Sequence, residues 1–404
     1  MSDIVTWLLL GVATLAWEAV WLERLAARFP MLRGIIGGWT YFFLGLALGP
    51  HVSNTVSIDA LPSAGAVLMF LLAWCGGFVG LQLKSRLSRA IPARLWRWIA
   101  FDAALSILIG TVAAPALSRA WPAGSDPAGQ VLLGGTIAAL AMGWSPATRA
   151  FVRVDATDAP EIGAWIRTGA GLLSVLAIIT ASLPAQAIHV TLEGAVVDAQ
   201  AFGVLAFSIQ CATIVLVALA SIAILGDATT DDARSVVVGI GTLSLVGAAS
   251  AACGGSPLLT GLLFGATVAQ SRRRVAPLGG FVAHGESAVS AALLLFAGLA
   301  ARLPDSPEAI AALVGAGVLL AAARATLKPL AMLVALGRVE GAPRVSRAAI
   351  LAPIPQSPLA LVILLAFTLL DHSGLAPTLI SLCAVTALAS IGLVSLGRLR
   401  GAPA

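Results

Sequence analysis

Arg324 and Lys328 stand four residues apart inside the apolar run 308–336. In a helix they share one face, a single turn apart. Two cations at that depth cost at least ~2.5 kcal/mol each on insertion scales, unless they meet protein, water or a counter-ion. Such a pair can neutralise an acid or draw an anion. Lys328, towards the end of its run, is read as snorkelling to the interface. Arg324 is deeper and is read as functional or paired. Acids that could answer them are few: Glu18, Asp102 and Glu286, each near the predicted cytoplasmic end of an apolar run. Asp102 is read as an interfacial residue capping the start of its helix, and it is also the first acidic candidate as a partner. Hydroxyls at Ser145, Thr148, Thr168, Ser174 and Ser357 can coordinate an ion weakly but cannot exchange protons.

Two serine–proline pairs interrupt apolar segments in corresponding places of the two halves. Ser145-Pro146 lies in Leu140–Thr148, and Ser357-Pro358 in Leu351–Ala360, where Pro355 and Gln356 precede it. Proline in a membrane helix gives no N–H and frees carbonyls at membrane depth. Those carbonyls survive only when packed in protein or lining a wet cavity. Paired interruptions in two halves point to the substrate site of a secondary transporter. Pro146, Pro355 and Pro358 are therefore read as structural helix breaks.

Composition fixes the setting. The chain of 404 residues is 59% hydrophobic and 11% charged, against about 25% charged in soluble domains, and its mean hydropathy is +0.98. Thirteen spans are predicted, at about 4–22, 34–50, 64–83, 98–117, 128–144, 164–183, 202–225, 235–252, 256–270, 286–301, 308–336, 348–370 and 376–396. Connections on one side then hold 20 of the 24 basic residues. By the positive-inside rule the N-terminus is outside and the C-terminus cytoplasmic. The net charge of +5 reflects this topology, and no basic groove suggests nucleic acid. Cys75, Cys211, Cys253 and Cys383 lie in or at the ends of spans without metal or redox spacing. His51, His189, His284 and His372 all fall in connections. No Ser/His/Asp set or phosphate loop stands out, so no enzyme, metal or cofactor is expected.

The expected fold is one all-α integral membrane domain over 1–404 with no soluble part. Repeat one covers about 4–183, a linker helix about 202–225 and repeat two about 235–396. With helices 1–6 and 8–13 as inverted repeats, the fifth helix of each repeat is span 5 or span 12. Those are the spans that carry the serine–proline breaks, so they are expected to cross as broken helices.

The chain resembles the cation:proton antiporters, in the bacterial thirteen-helix branch of sodium/proton and potassium/proton exchangers, over essentially its full length. Gly38–Pro50 is similar to that family's glycine-rich second helix ending in Gly-Pro. Trp144–Ala147 sits where the family has a Thr-Ser-Pro-like unwound crossing, and Pro355–Ile363 resembles its Pro-Arg-Gly-Glu-(aromatic)-Ala-Leu-Val-Ile element. Lys328 sits where many relatives carry an intramembrane lysine. The departures are acidic. The aspartates of the sixth helix fall on Leu173 and Ser174, the glutamate of the twelfth on Pro358 and its arginine on Gln356.

What the resemblance implies is an inner-membrane antiporter that exchanges a monovalent cation for protons by alternating access. Its core would be spans 4–6 and 11–13, moving against spans 1–3 and 8–10. The relatives are dimers, and spans 1–3 are the surface a homodimer would use. The substrate candidates are Ser145, Thr148, Ser174, Gln356, Ser357, Arg324 and Lys328. Two other readings stay open: a transport-incompetent sensor, scaffold or partner subunit, and a carrier of an anion or organic acid.

Overall fold

The computed structural model describes residues 39–50, 52, 56, 63–83, 92–120, 127–143, 160–193, 199–226, 232–271, 276–304, 306–336, 354, 356–369 and 375–399. They form thirteen helices and no strand-built sheet. In chain order these are α1 Trp39–Leu48, α2 Gly65–Leu81, α3 Ala93–Ala120, α4 Pro127–Met142, α5 Pro160–Glu193, α6 Ala199–Gly226, α7 Asp232–Ala252, α8 Pro257–Gln270, α9 Ala276–His284, α10 Glu286–Ala300, α11 Pro307–Leu336, α12 Pro358–Thr368 and α13 Leu375–Leu399. They match predicted spans 2 to 13; span 1 lies outside the described residues. Among the described residues four helices are long and apolar enough to cross a membrane by themselves, and α9 and α10, bent by 47° at their break, pass the same test together. The chain is a multi-pass membrane protein.

Two spans differ clearly from the sequence reading: the helix of span 6 runs on to Glu193, ten residues past the predicted end at 183, and span 10 starts early. Span 10 begins at Ala276, not 286, because α9 is a real helix. Glycines at 279, 280 and 285 hide it from the pattern. Packing supplies what propensity withholds: Leu278 and Val282 are fully buried, and Trp74 Nε1 donates to the Val282 carbonyl at 3.1 Å. The Trp74 ring also lies where a side chain on Gly285 would stand, so the bend closes directly over it.

Twelve of the thirteen described helices sort into two groups, and α6 packs on α7 and α8 of one and on α5 of the other. α1, α2, α7, α8, α9 and α10 pack on one another; so do α3, α4, α5, α11, α12 and α13. Contact between the groups runs mainly through α10 on α12 and through α5 on α2 and α8. In the first group α2 and α8 touch backbone to backbone. A methyl on Gly76 would run into the Leu258 carbonyl, and one on Gly261 into the Ala73 carbonyl. Small residues permit that approach where lipid offers no hydrophobic drive to associate. In the second group α11 threads between α3 and α13, which carries Arg324 and Lys328 past the end of α4.

Candidate functional site

α4 stops at Met142, and Gly143 follows in a non-helical conformation. α12 starts at Pro358, with Ser357 as its N-cap, accepting from Leu359 N at 3.1 Å. Ser–Pro places a capping hydroxyl immediately before the one residue that needs no N–H. The same dipeptide starts α8, where Ser256 Oγ accepts from Leu259 N at 3.4 Å, and α11, where Ser306 Oγ accepts from Ala309 N at 3.2 Å. Serine–proline is thus a helix-start signal at several places in this chain. What sets Ser357-Pro358 apart is what it faces.

The two chain breaks meet. Gln356 Nε2, just before α12, donates to the Leu140 carbonyl of α4 at 3.0 Å. Arg324 joins both sides. Its Nη1 donates to Leu140 O at 2.7 Å and to Ala141 O, its Nη2 to Gly143 O at 3.0 Å and Ile354 O at 3.4 Å, and its Nε to Ile354 O at 3.4 Å. A guanidinium has five N–H donors, and five contacts to four carbonyls occupy them. The side chain is fully buried. Leu140 and Ala141 carry orphan carbonyls at the negative end of α4's dipole, so a fixed cation belongs there. Arg324 pins the crossing from inside.

One turn along α11, Lys328 Nζ meets Asp102 Oδ2 of α3 at 2.5 Å and Met142 O at 3.4 Å. Asp102 is 2% and Lys328 3% exposed. Both sequence readings are corrected here. Asp102 is not an interfacial cap, because α3 starts at Ala93 and puts it nine residues in, about 14 Å along the axis. Lys328 does not snorkel, because a buried carboxylate within reach outweighs a stretched path to water. Toward the start of α3 the pair is covered by an apolar cluster: Leu95, Trp98 and Ile99 from α3, Ile166, Ala170 and Leu173 from α5, and Ala331 and Met332 from α11. Trp98 and Met332 are each one turn from Asp102 and Lys328, so they shield the pair.

Ser357 and Gln356 are therefore at the crossing with Arg324 and Lys328. Gln356 Oε1 is buried and accepts no hydrogen bond among the described residues. Ser174 is buried on α5, but its hydroxyl donates to Ala170 O of its own helix at 2.8 Å, so its proton is spent locally. Leu173 is completely buried. Ser145, Pro146, Thr148 and Pro355 lie outside the described residues. Pro358 is the first residue of α12, as a helix break requires. Asp102, named from the sequence only as a possible partner, is the charged residue beside the crossing that the set of substrate candidates lacks. The signal that finds it is its spacing from Trp98, which places a polar residue on the inward face of α3. Among the described residues no three His, Cys, Asp or Glu side chains gather at a metal-binding distance.

No family model matches the chain, and no curated protein sequence does. Solved structures match it well. The sodium proton antiporter MjNhaP1 from Methanocaldococcus jannaschii, in a structure at pH 8, superposes with a TM-score of 0.63 at 14% identity, covering 97% of this chain and 96% of that one. An electron-microscopy structure of the same antiporter gives 0.59 at 15% identity, covering 99% of each chain. Over its described helices the chain has the fold of this sodium proton antiporter.

Proposed function

We propose that the chain is a secondary transporter of the cation:proton antiporter type in which Asp102 and Lys328 are the exchanging pair. The observation that carries this is the 2.5 Å contact between two almost wholly buried, oppositely charged side chains beside a helix break. Asp102 has one strong partner in this state, the Lys328 ammonium. A monovalent cation that reaches the carboxylate competes for it. The site cannot keep the incoming cation, the ammonium and the Arg324 guanidinium against one carboxylate. The ammonium then gives its proton to water on the side to which the site is open. When the cation leaves, Lys328 takes a proton back and closes on Asp102. One cation moves against one proton, and the charge of the site is the same in both loaded states. The orphan oxygen of Gln356 and the carbonyl of Met142 are neutral ligands within the same crossing.

The anion reading loses its main support, because Arg324 spends its donors on backbone carbonyls. A transport-incompetent scaffold keeps one observation in its favour: the guanidinium fills carbonyls that a dehydrated cation would otherwise use. The remaining elements of the proposal follow from the charge asymmetry and the likeness: one membrane domain built of two inverted repeats, N-terminus outside, C-terminus cytoplasmic, in an inner membrane, with a small cation as cargo and a homodimer as the assembly.

The test is transport in proteoliposomes with a pH dye inside, imposing sodium, potassium, lithium and several anions in turn. A cation gradient is expected to change internal pH, and Asp102→Asn to abolish the change. Silence under every gradient favours the scaffold.

A further inference from the structure

The apolar cover over the Asp102–Lys328 pair has an outer side. Leu95, Trp98 and Ile99 turn inward from the first turns of α3 and are buried. The residues between them turn the other way. Trp96 is 45% exposed, Arg97 and Ala100 are exposed, and Arg94 is half-buried at the edge of that face. The outward face continues down the helix through Ala104, Ile107, Leu108 and Val112, all exposed. Thr111 lies on it too, with its hydroxyl spent on Leu108 O of its own helix at 3.0 Å. An apolar stripe on the outer face of a membrane helix is covered by lipid.

The stripe begins with two cations and an indole. Arg94 and Arg97 are three residues apart, which makes their guanidiniums neighbours on the helix surface. Trp96, next to Arg97, suits the headgroup level, where an indole can keep its ring in an apolar layer and its N–H in a polar one. Helix side chains lean toward the N-terminus, so both arginines reach back toward the membrane surface and keep their stems on the stripe. Among the described residues neither guanidinium has an acidic partner. Two unpaired planar forks one turn apart are complementary to a phosphate, which each can hold bidentately. In the predicted topology this end of α3 is cytoplasmic, the side where leaflet charge attracts basic segments.

We propose that Arg94 and Arg97, with Trp96 beside them, bind the phosphate of an anionic phospholipid whose chains lie along the stripe over 104–112. Guanidinium and stripe together select a lipid over a free phosphate, because a free phosphate has nothing to lay on the apolar positions. The site does not rest on the exchange reading, but it bears on the pair. The headgroup holds from outside the same two turns that cover Asp102 from inside, so leaflet charge steadies the cover.

The test is a lipid titration of the detergent-purified full chain, read as melting temperature, with phosphatidylglycerol, phosphatidylcholine of the same chains or inorganic phosphate. Phosphatidylglycerol is expected to raise melting more than the other two. Arg94→Gln combined with Arg97→Gln is expected to raise the half-effective phosphatidylglycerol concentration about thirtyfold, the effect of two surface charges. Arg119→Gln, at the other end of α3, is expected to stay within about twofold of wild type. Arg94→Lys combined with Arg97→Lys should fall between, since an ammonium keeps the charge and lacks the fork. An unchanged half-effective concentration in the double glutamine variant overturns the proposal, as does an equal effect of phosphatidylcholine or inorganic phosphate on wild type. A photoreactive phosphatidylglycerol on wild-type protein decides the matter without any variant: label on the peptide that carries Trp96, displaced by phosphatidylglycerol and not by phosphatidylcholine, is expected, and label confined to other peptides overturns the site.

Discussion

The α2–α8 contact and the α4–α12 crossing are both places where backbone approaches backbone, and they are held in opposite ways. At α2–α8 nothing stands between the helices: Gly76 and Gly261 bring carbonyls of the facing helix into their own van der Waals shells. At the crossing the carbonyls at the end of α4 are bridged by long charged side chains, Arg324 and Lys328, both from α11. The first arrangement has no part that can move by itself. In the second, each bond ends on a rotatable side chain whose partner can be exchanged. Glycine contact is not confined to the first group, since a methyl on Gly110 of α3 would run into the Gly134 carbonyl of α4; the α4–α12 crossing is the place where charge takes over.

The comparison breaks most severely if the crossing is not held by charge. Arg324→Ala takes the guanidinium from four buried carbonyl groups and leaves Gln356 as a donor to Leu140 alone, an expected loss of about 3–5 kcal/mol, read as the melting of detergent-purified protein. Arg324→Lys is expected to recover only part of it, because an ammonium has three donors and no planar fork. An alanine variant as stable as wild type would show that the crossing holds itself.

Asp102→Asn alone strands a buried ammonium and should cost about as much, about 3–5 kcal/mol. Combining it with Lys328→Met removes the stranded charge, so the double variant is expected to melt above Asp102→Asn and still carry no exchange. Stability and transport separate in that pair of measurements. At the α2–α8 panel, Gly76→Val or Gly261→Val forces the helices apart and is expected to cost about 1–3 kcal/mol or more. Transport per folded molecule should change little. Ser357→Ala removes an N-cap and is expected to cost about 1 kcal/mol, with Ser256→Ala at the panel's own Ser–Pro start as the matched control. Only the first should alter exchange. Ser174→Ala, whose hydroxyl bonds its own helix, should lie within about 0.5 kcal/mol of wild type.

Much of the architecture could be read from residues alone, since apolar runs locate spans 2 to 5, 7 to 9 and 11 to 13 and the start of span 6. The serine–proline signal led to the crossing for a partly different reason than supposed. The dipeptide caps helix starts generally, at Ser256 and Ser306 as well as Ser357. The contacts across to α4, not the dipeptide, set Ser357-Pro358 apart. The Asp102–Lys328 pair was harder to see. Arg94, Trp96 and Arg97 look like an interface, so α3 seemed to begin after them, and Asp102 seemed shallow. A local pattern cannot show that α11 passes α3 at that turn. α9 was hidden likewise, by glycines whose helix is held through Trp74 from another span.

Proton release on cation binding tests the exchanging pair most directly. Sodium or lithium chloride added to purified wild-type protein in weak buffer should release about one proton per chain, choline chloride none, and Asp102→Asn should stay silent. Release that persists undiminished in Asp102→Asn, or cation binding to wild type with no proton released, would contradict the assignment of Asp102 and Lys328 as the site of exchange.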